Sequence, residues 1–326
     1  MISFEFLERN HIQTFDQKKP AETITEAAYE FYVDEVKNTS RTDIELIPQS
    51  YFQVLTSYPI RPLDVKCPTD ALKPYQVKCV SEMVARKRVM NACLMGMGKT
   101  VQAICAMYLL RSDSKGDLVI CPGSLRSNWK NEFTKWAPDV PVQLISKVGA
   151  AKDQIQQAIN QVFTFSKGVT IISYELFAKL AGCIKVSQRK KSYFNTIVCD
   201  ESHYLKDSES RRYRNLFPFL QSAPHIFLMS GTPSPNRPVE LYAQLKLLDH
   251  KTFSSKRTFS DRYCAGYTDR WGVYCDRGAS RTGELAHLLS RYMIRVVSNP
   301  DSESSNPIHV TRTVTEVDPC GHFQRS

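Results

Sequence analysis

The sequence contains no long apolar run, although 42% of its 326 residues are hydrophobic. No stretch approaches the roughly 18 to 20 apolar residues that a membrane-spanning helix needs. Glu5 and Glu8 stand where a secretory signal would place a basic start and an apolar core. We therefore expect a soluble protein with no signal peptide and no membrane partner.

Paired cysteines are also lacking. The ten cysteines are scattered singly, with no C-x-x-C pair and no Cys/His cluster at zinc-ligand spacing. This pattern indicates neither a disulfide framework nor a metal site built from cysteines. It favours a reducing, intracellular compartment.

Acidic residues are the minority among the charged ones. There are 43 Lys and Arg against 33 Asp and Glu, which gives a formal charge of +10. A basic protein attracts polyanions over long distances. Charge alone does not choose between DNA, RNA and an acidic membrane surface.

Short apolar runs alternate with amphipathic stretches from about residue 72 to residue 250. Amphipathic helices are predicted, among others, at Val101–Arg111, Ser127–Trp136 and Ala151–Phe163. The predicted buried strands are Val89–Leu94, Leu118–Cys121, Val142–Ser146, Val169–Ser173, Thr196–Cys199 and His225–Met229. This alternation predicts an α/β fold with a doubly wound parallel sheet.

Changes in composition divide the chain into four parts. Residues 1–70 form an N-terminal accessory region that ends in a proline-dotted connector, and residues 71–250 form the α/β lobe. Residues 251–295 are a basic, aromatic extension with a helical pattern over Gly283–Arg295. Residues 296–326 are polar and are predicted to be a disordered, divergent tail.

A glycine-bearing segment, CLMGMGKT, joins a predicted strand to a predicted helix at Cys93–Thr100. Gly96 and Gly98 allow the backbone of these two residues and of Met95 and Met97 to curl around phosphates at a helix N-terminus. Lys99 can reach the β and γ phosphates of ATP, and the Thr100 hydroxyl can bind Mg²⁺. The alternative is a glycine-rich turn that only caps a helix, and the general motif would have glycine where this chain has Cys93.

A second acidic motif, DESH, follows a β-branched run at Asp200–His203. Adjacent carboxylates at the carboxyl end of a parallel strand lie where α/β proteins bind ligands. Asp200 is predicted to hold Mg²⁺, and Glu201 to orient and deprotonate the attacking water. Acidic residues after a strand are also common as helix N-caps, but the upstream GKT segment favours the ATPase interpretation.

With both motifs present, residues 70–295 resemble the Swi/Snf branch of the superfamily-two helicases. The resemblance implies that Gln76, in LKPYQ, reads adenine through its amide; a surface glutamine is the alternative. It implies that His203, in DESH, and Ser230 and Thr232, in SGTPSPNRPVELY, couple the ATP state to the grip on DNA. The prolines of that segment could instead only shape a turn.

The same resemblance implies contacts with the nucleic-acid backbone. In CPGSLRSNWKNEFTKW these are Ser124, Arg126 and Asn128, and in SYELF they are Ser173 and Tyr174. Ser124 could instead cap a helix whose buried face includes Trp129, Phe133 and Trp136; for these aromatics we favour the buried interpretation.

Two later segments, RYCAG and RGASRTGELAHLLSRYMIR, resemble the annealing-helicase subgroup, which rewinds DNA and remodels stalled replication forks. The leucine-rich face of the second is also a packing surface. Basic clusters at 189–191 and at Arg211, Arg212 and Arg214 could face nucleic acid or only water, and we favour solvated loops. QRKKS at 188–192 is a weak signal for import into the nucleus.

The chain departs from the family at two places. Cys93 and Leu94 replace a usual acidic pair, and Val296 replaces a usual arginine, after which we expect no further resemblance. In these motors ATP lies between two RecA-like lobes, and the second lobe supplies an arginine that raises the rate of hydrolysis roughly 10³- to 10⁵-fold. We expect that second lobe to be missing from this chain. We therefore expect only residual hydrolysis and hypothesise a truncated or misread gene product, since Val297–Ser298 can be encoded by a splice-donor-like stretch.

The sequence thus predicts the first RecA-like lobe of a DNA-stimulated motor ATPase that uses ATP and Mg²⁺. Its expected partner is DNA, bound through the backbone at branched or duplex/single-strand junctions, in the nucleus. A nucleosome-remodelling ATPase of the same family and a non-catalytic ATP- or DNA-binding module remain alternatives. An RNA helicase fits less well, because the two later segments resemble DNA remodellers.

Overall fold

A computed structural model of the chain describes residues 47–56, 63–184, 191–233 and 237–296, together with a short antiparallel pair, Ile2–Ser3 (β1) and Thr23–Ile24 (β2). The predicted tail beyond residue 296, two of the basic residues at 189–191 and Pro235 lie outside the described residues.

A seven-stranded parallel sheet organises the described part of the chain. Its strands are β3 (Arg88–Asn91), β4 (Asp117–Cys121), β5 (Val142–Ile145), β6 (Val169–Ser173), β7 (Thr196–Asp200), β8 (His225–Met229) and β11 (Met293–Ile294). Their order across the sheet is β11-β3-β8-β7-β4-β6-β5, and every neighbouring pair is parallel. The predicted α/β fold with a parallel sheet is confirmed.

Helices cover both faces of this sheet. They are α1 (Gln49–Thr56), α2 (Pro74–Arg86), α3 (Lys99–Leu109), α4 (Arg126–Trp136), α5 (Lys152–Thr164), α6 (Tyr174–Cys183), α7 (Arg211–Ser222), α8 (Val239–Leu248), α9 (Lys256–Tyr263) and α10 (Thr282–Ser290). A small antiparallel hairpin, β9 (Tyr267–Thr268) and β10 (Tyr274–Cys275), lies between α9 and α10. None of the helices in the described residues is long and apolar enough to cross a membrane.

Alternation along the strands separates two hydrophobic cores. In β4, Leu118 and Ile120 belong to the core under α1 and α5–α10, whereas Val119 and Cys121 belong to the core under α2, α3 and α4. Successive strand side chains point to opposite faces, so a strand buried on both faces is apolar throughout. This explains why the strands read as short continuous apolar runs.

The C-terminal helical prediction, Gly283–Arg295, is wrong in its second half. Helix α10 ends at Ser290, and Met293–Ile294 form the edge strand β11 beside β3. Tyr292 and Met293 continue the helical spacing of Leu285, Leu288 and Leu289, so the pattern gave no sign of a change in structure. The six strands predicted from sequence are all present, with ends shifted by at most three residues.

Two further segments differ from expectation. Arg211, Arg212 and Arg214 lie in the first turn of α7 rather than in a loop, because Ser210 caps that helix by accepting a hydrogen bond from Tyr213 N at 3.2 Å. Tyr51 in α1 is buried against Phe253 and Tyr263, with ring centroids 5.6 and 5.7 Å away. Part of the predicted accessory region therefore contributes to the core.

A buried carboxyl at the opposite edge of the sheet from the predicted ATP site makes stability depend on pH. Asp117 Oδ1 accepts a hydrogen bond from Thr196 N at 2.8 Å, and burial raises the pKa of this carboxyl to about 7. The unfolded value is about 3.9, so the neutral form favours folding, and its contribution is lost as pH rises through 7.

We expect Asp117→Asn, which keeps an acceptor, to be more stable than the wild type above pH 7 by about 1 to 3 kcal/mol. Below pH 4 the two should converge. Urea unfolding at several pH values measures the difference, with the exposed Asp139→Asn as the control. Parallel pH profiles for wild type and Asp117→Asn would contradict the assignment.

Candidate nucleotide site

Three loops meet at the carboxyl edge of the sheet because their strands are neighbours. Strand β8 lies between β3 and β7, with Asn91 and Asp200 both in register with Met229. The segment Cys93–Thr100 follows β3, DESH begins at the last residue of β7, and Ser230–Thr232 follow β8. Strands are spaced about 4.8 Å apart, so the two predicted ATP-site motifs lie about 10 Å apart at the sheet edge, on either side of Ser230.

The glycine-bearing loop has the backbone that its sequence predicts. Gly96 and Gly98 have φ of 79° and 74°, in the left-handed region that favours glycine, and Gly98 is the N-cap of α3. The N-terminus of α3 is therefore directed at this loop, as an anion site requires. Met95 at the loop tip is 83% exposed, whereas Met97 is buried.

The carbonyl oxygen of Met97 fixes this loop to the body of the lobe. It accepts hydrogen bonds from Gln102 Nε2 at 2.9 Å and from Tyr75 Oη and Gln76 Nε2 at 3.3 Å. Gln76 Oε1 also accepts from Lys73 N at 2.9 Å, at the start of α2. The structure thus brings Gln76 to the loop, where it supports the backbone; its role in reading adenine stays a prediction.

Lys99 lies at the centre of the three loops. Its Nζ donates to the carbonyl oxygens of Cys93 at 2.9 Å and Leu94 at 3.2 Å. A Cβ built on Gly231 would lie 3.7 Å from the same Nζ. Thr100 is the next residue of α3 and is half-buried. The Cys93 thiol, at the unusual position noted in the sequence, is buried 4.0 Å from Cys79 Sγ.

Asp200 is buried and is held by three donors. Trp129 Nε1 donates to Oδ2 at 2.8 Å, Glu201 N donates to Oδ1 at 2.9 Å, and Tyr174 Oη donates to the backbone carbonyl at 2.8 Å. Burial raises the pKa of the Asp200 carboxyl, while the Trp129 hydrogen bond opposes that rise. Nothing in the sequence pattern pointed to Trp129 as a partner of Asp200.

Glu201 has an unusual backbone for its residue type. Its φ of 49° places a residue other than glycine in the left-handed region, a cost that proteins accept mainly at functional sites. Its Oε2 lies 3.2 Å from His203 Nδ1, and both side chains are about one-third exposed. Glu201 is therefore accessible beside the buried Asp200.

A buried hydrogen-bond chain joins the DESH and SGTP segments. Ser202 Oγ donates to Gln244 Oε1 at 2.7 Å, and Gln244 Nε2 donates to the Pro233 carbonyl at 2.6 Å. Ser230 is also buried, and its Oγ accepts from Thr232 N at 3.2 Å. Gln244 was missed from the sequence; a polar residue within the apolar run of α8 is the signal that could have found it.

The residues predicted to contact nucleic acid fall into two groups. Ser124 and Asn128 are exposed in the turn and helix that follow β4. Arg126 is half-buried and supports the same loop, because its Nη1 donates to the carbonyls of Ile145 and Ser146 at 2.7 and 2.8 Å. Contacts of these three residues with a phosphate backbone stay predictions.

Ser173 and Tyr174 require a correction. Ser173 is buried and caps α6, since its Oγ accepts from Leu176 N at 3.3 Å. Tyr174 is fully buried, and its hydroxyl reaches Asp200 rather than solvent. Neither side chain is accessible to a nucleic acid in this structure, because both face the inside of the lobe.

Comparison with solved structures supports this architecture. A Sulfolobus solfataricus SWI2/SNF2 ATPase core in complex with dsDNA matches with a TM-score of 0.55 and 19% identity, over 74% of this chain and 47% of that one. The core domain of the same protein matches with a TM-score of 0.51. At this level of identity the likeness shows a shared fold.

Curated relatives match at higher identity. A Bos taurus SWI/SNF-related matrix-associated actin-dependent regulator of chromatin subfamily A-like protein 1 is 34% identical over 67% of this chain and 22% of its own length. The Caenorhabditis elegans homologue is 31% identical over 87% of this chain and 40% of its own. The Bos taurus DNA annealing helicase and endonuclease ZRANB3 is 34% identical over 69% of this chain and 20% of its own length.

These relatives confirm the predicted resemblance to the annealing-helicase subgroup, and the chain spans less than half of the length of each. The family model of the SNF2-related domain matches residues 75–314, so the resemblance continues past residue 295, where we expected it to end. That match covers well over half of the chain. The chain therefore belongs to the SNF2-related domain family.

Proposed function

We propose that this chain binds ATP with Mg²⁺ and acts as the ATP-binding lobe of a DNA-stimulated motor that anneals DNA and remodels replication forks. The supporting observation is the meeting of three loops at one sheet edge, with Lys99 beside Gly231 and two strands from Asp200. Proteins of this fold class bind ligands at such an edge.

Each residue of the edge has a distinct part in this proposal. Lys99 exchanges its two loop carbonyls for β and γ phosphate oxygens, while the N–H groups of Gly96–Lys99 cradle the phosphates. Glu201 accepts the proton of the attacking water. The chain from Ser202 through Gln244 to Pro233 links that carboxylate to the segment that holds Thr232.

The donor set fits a magnesium ion that is shared with a nucleotide. Among the described residues, no three His, Cys, Asp or Glu side chains are grouped as a metal site. Mg²⁺ in nucleotide sites commonly uses one or two protein oxygens and completes its shell with phosphates and water. Thr100 and Asp200 would supply the two protein oxygens, and the ion would neutralise charge on the phosphates.

The DNA part of the proposal is supported by charge, position and family. The chain has a formal charge of +10, and Ser124 and Asn128 are exposed in the turn and the first helical turn after β4, at the same sheet edge. The proposed contacts are with phosphates and carry no base specificity. The names of the relatives also favour a nuclear protein.

Nucleotide binding by the purified chain tests the proposal. We expect a fluorescent ATP analogue to bind about tenfold more weakly to Lys99→Met, because one charge-assisted contact is lost. Glu201→Gln should bind the analogue normally and reduce any hydrolysis to background. Equal analogue affinity of wild type and Lys99→Met would overturn the nucleotide site.

Two further functions are outcomes of the same test. Analogue binding that depends on Lys99, with hydrolysis no greater than that of Glu201→Gln, indicates a binding module without turnover. If nucleosomes stimulate hydrolysis more than forked DNA does, the chain belongs to a nucleosome remodeller. This outcome is tested because one of the relatives is named as a regulator of chromatin. Stimulation by forked DNA supports the proposed function.

A further inference from the structure

The hairpin β9–β10 carries three of the seven large hydrophobic side chains that are exposed among the described residues, and the proposed site does not use it. Trp271 is 75% exposed, and Tyr267 and Val273 are 59% and 58% exposed. All three lie within seven residues between α9 and α10. Large exposed aromatic side chains on a soluble lobe commonly mark an interaction site.

The hairpin tip is held in one conformation by its own hydrogen bonds. Asp269 Oδ1 accepts from Trp271 N and Val273 N, both at 2.8 Å, and Asp269 N donates to the Val273 carbonyl at 2.9 Å. Gly272 supplies the left-handed turn with φ of 78°. An indole presented on a fixed turn loses little conformational entropy when it stacks on a ligand.

Contacts with α9 also fix the base of the hairpin. They determine which face of the hairpin points to solvent. Tyr274 Oη donates to Asp261 at 2.7 Å, and the Arg257 guanidinium lies 3.7 Å above the Tyr274 ring. Tyr274 therefore faces α9. Tyr267 pairs with Cys275 in the alternate register and so faces the opposite side, towards solvent.

The surroundings of the tip are basic. Of the seven Lys and Arg in residues 251–281, Arg262 is buried, and Lys256 and Arg257 pair with Asp276 and Asp261. Lys251, Arg270 and Arg277 are exposed, whereas the remaining acidic residue of the range, Asp269, is half-buried. The Arg270 guanidinium lies 4.8 Å from the centroid of the Trp271 ring. A positive surface with exposed aromatic rings is the arrangement by which proteins bind single-stranded nucleic acid, where rings stack on bases and cations contact the backbone.

We propose that Trp271, supported by Arg270 and Tyr267, stacks on an unpaired base of DNA, so that the hairpin recognises the single-stranded part of a junction. The inference rests on the proposed DNA-dependent function and adds a site for unpaired bases beside the backbone contacts. Apolar docking of a protein fits less well, because Thr268, Asp269 and Arg270 separate the exposed rings.

Binding of labelled oligonucleotides at fixed salt tests this site. A single strand and a blunt duplex of equal length are titrated with wild type, Trp271→Ala and Trp271→Phe. We expect Trp271→Ala to weaken single-strand binding at least about fivefold and duplex binding less than twofold, since one base stack is lost. Trp271→Phe should retain part of the affinity, and Leu63→Ala, also exposed but outside the hairpin, should match the wild type.

Tryptophan emission gives a second measurement. Trp129 is buried and Trp136 is half-buried, so quenching by the single strand should disappear in Trp271→Ala. Unchanged single-strand affinity in Trp271→Ala, or unchanged wild-type emission at saturation, would overturn the stacking site. Neither measurement requires nucleotide, so failure of the Lys99 test and failure of this one are distinguishable.

Discussion

Replacing Arg262 by methionine is expected to destabilise the lobe by about 3 to 5 kcal/mol, because it leaves a fully buried carboxylate without its cation. Arg262 Nε and Nη2 donate to the two oxygens of Glu284 at 2.6 and 2.8 Å. Tyr263 Oη donates to Glu284 Oε1 at 2.7 Å. Arg262 is 3% exposed and Glu284 is not exposed at all.

We expect this loss of stability because the Arg262–Glu284 pair is buried; removing an exposed ion pair should cost much less. Arg111 and Asp139 form a pair at 3.0 Å with both side chains about half exposed, and Arg111→Met should cost less than about 1 kcal/mol. Urea unfolding of both variants measures the contrast. The double variant Arg262→Met, Glu284→Leu should recover much of the lost stability, since it removes the unpaired charge. A small loss in Arg262→Met would show that water reaches this pair.

This ion pair connects two separate sequence segments. Arg262 lies in RYCAG and Glu284 lies in RGASRTGELAHLLSRYMIR, the two stretches that carry the subgroup resemblance. The pair joins α9 to α10, and α10 leads into β11 at the edge of the sheet. The hairpin β9–β10 projects from between the two joined helices, so the same pair supports its base.

The sequence predicted those parts of the site that depend on local patterns. Gly96, Gly98 and Lys99 lie within one strand–loop–helix unit, whereas Asp200 is the last residue of a buried strand and Glu201 follows it directly. The apolar runs predicted the strands because both faces of the sheet are covered. For parallel strands, the carboxyl ends meet at one edge, so bringing the motifs together required only the fold class.

Contacts between distant residues could not be predicted in the same way. Trp129 and Asp200 are 71 positions apart, and Ser202 and Gln244 are 42 apart. Neither pair belongs to a periodic pattern, and each depends on the packing of a helix against a strand end. Tyr174 shows the same limit, because its position within SYELF suggested a surface role, whereas its hydroxyl donates to the Asp200 backbone carbonyl.

The hydrogen bonds to Asp200 also indicate that Asp200 and Glu201 suit different roles at this edge of the sheet. Asp200 is fixed by three donors, whereas Glu201 next to it is partly exposed on a left-handed backbone. A fixed carboxylate suits an ion that needs regular geometry. An accessible carboxylate suits contact with water. In the proposed function, the two adjacent acidic residues would therefore have different roles because their surroundings differ.

Trp129→Phe is expected to weaken Mg²⁺-dependent nucleotide binding by about 10- to 100-fold, the usual range for loss of a group that orients a metal ligand. The substitution keeps a buried aromatic ring and removes the indole N–H that donates to Asp200 Oδ2 at 2.8 Å. Asp200 Oδ2 would then be buried without this donor, and the carboxylate would no longer be held in one rotamer. A Mg²⁺ titration at fixed ATP analogue measures the midpoint.

Phe133→Leu separates this positioning role from packing. The Phe133 ring is also buried, 6.2 Å from that of Trp129, and it does not hydrogen-bond Asp200. We expect Phe133→Leu to lower the free energy of unfolding and leave the Mg²⁺ midpoint unchanged. Trp129→Phe should move the midpoint, while analogue affinity without Mg²⁺ stays at the wild-type value. A wild-type midpoint in Trp129→Phe would mean that Glu201 N and the backbone suffice to orient Asp200.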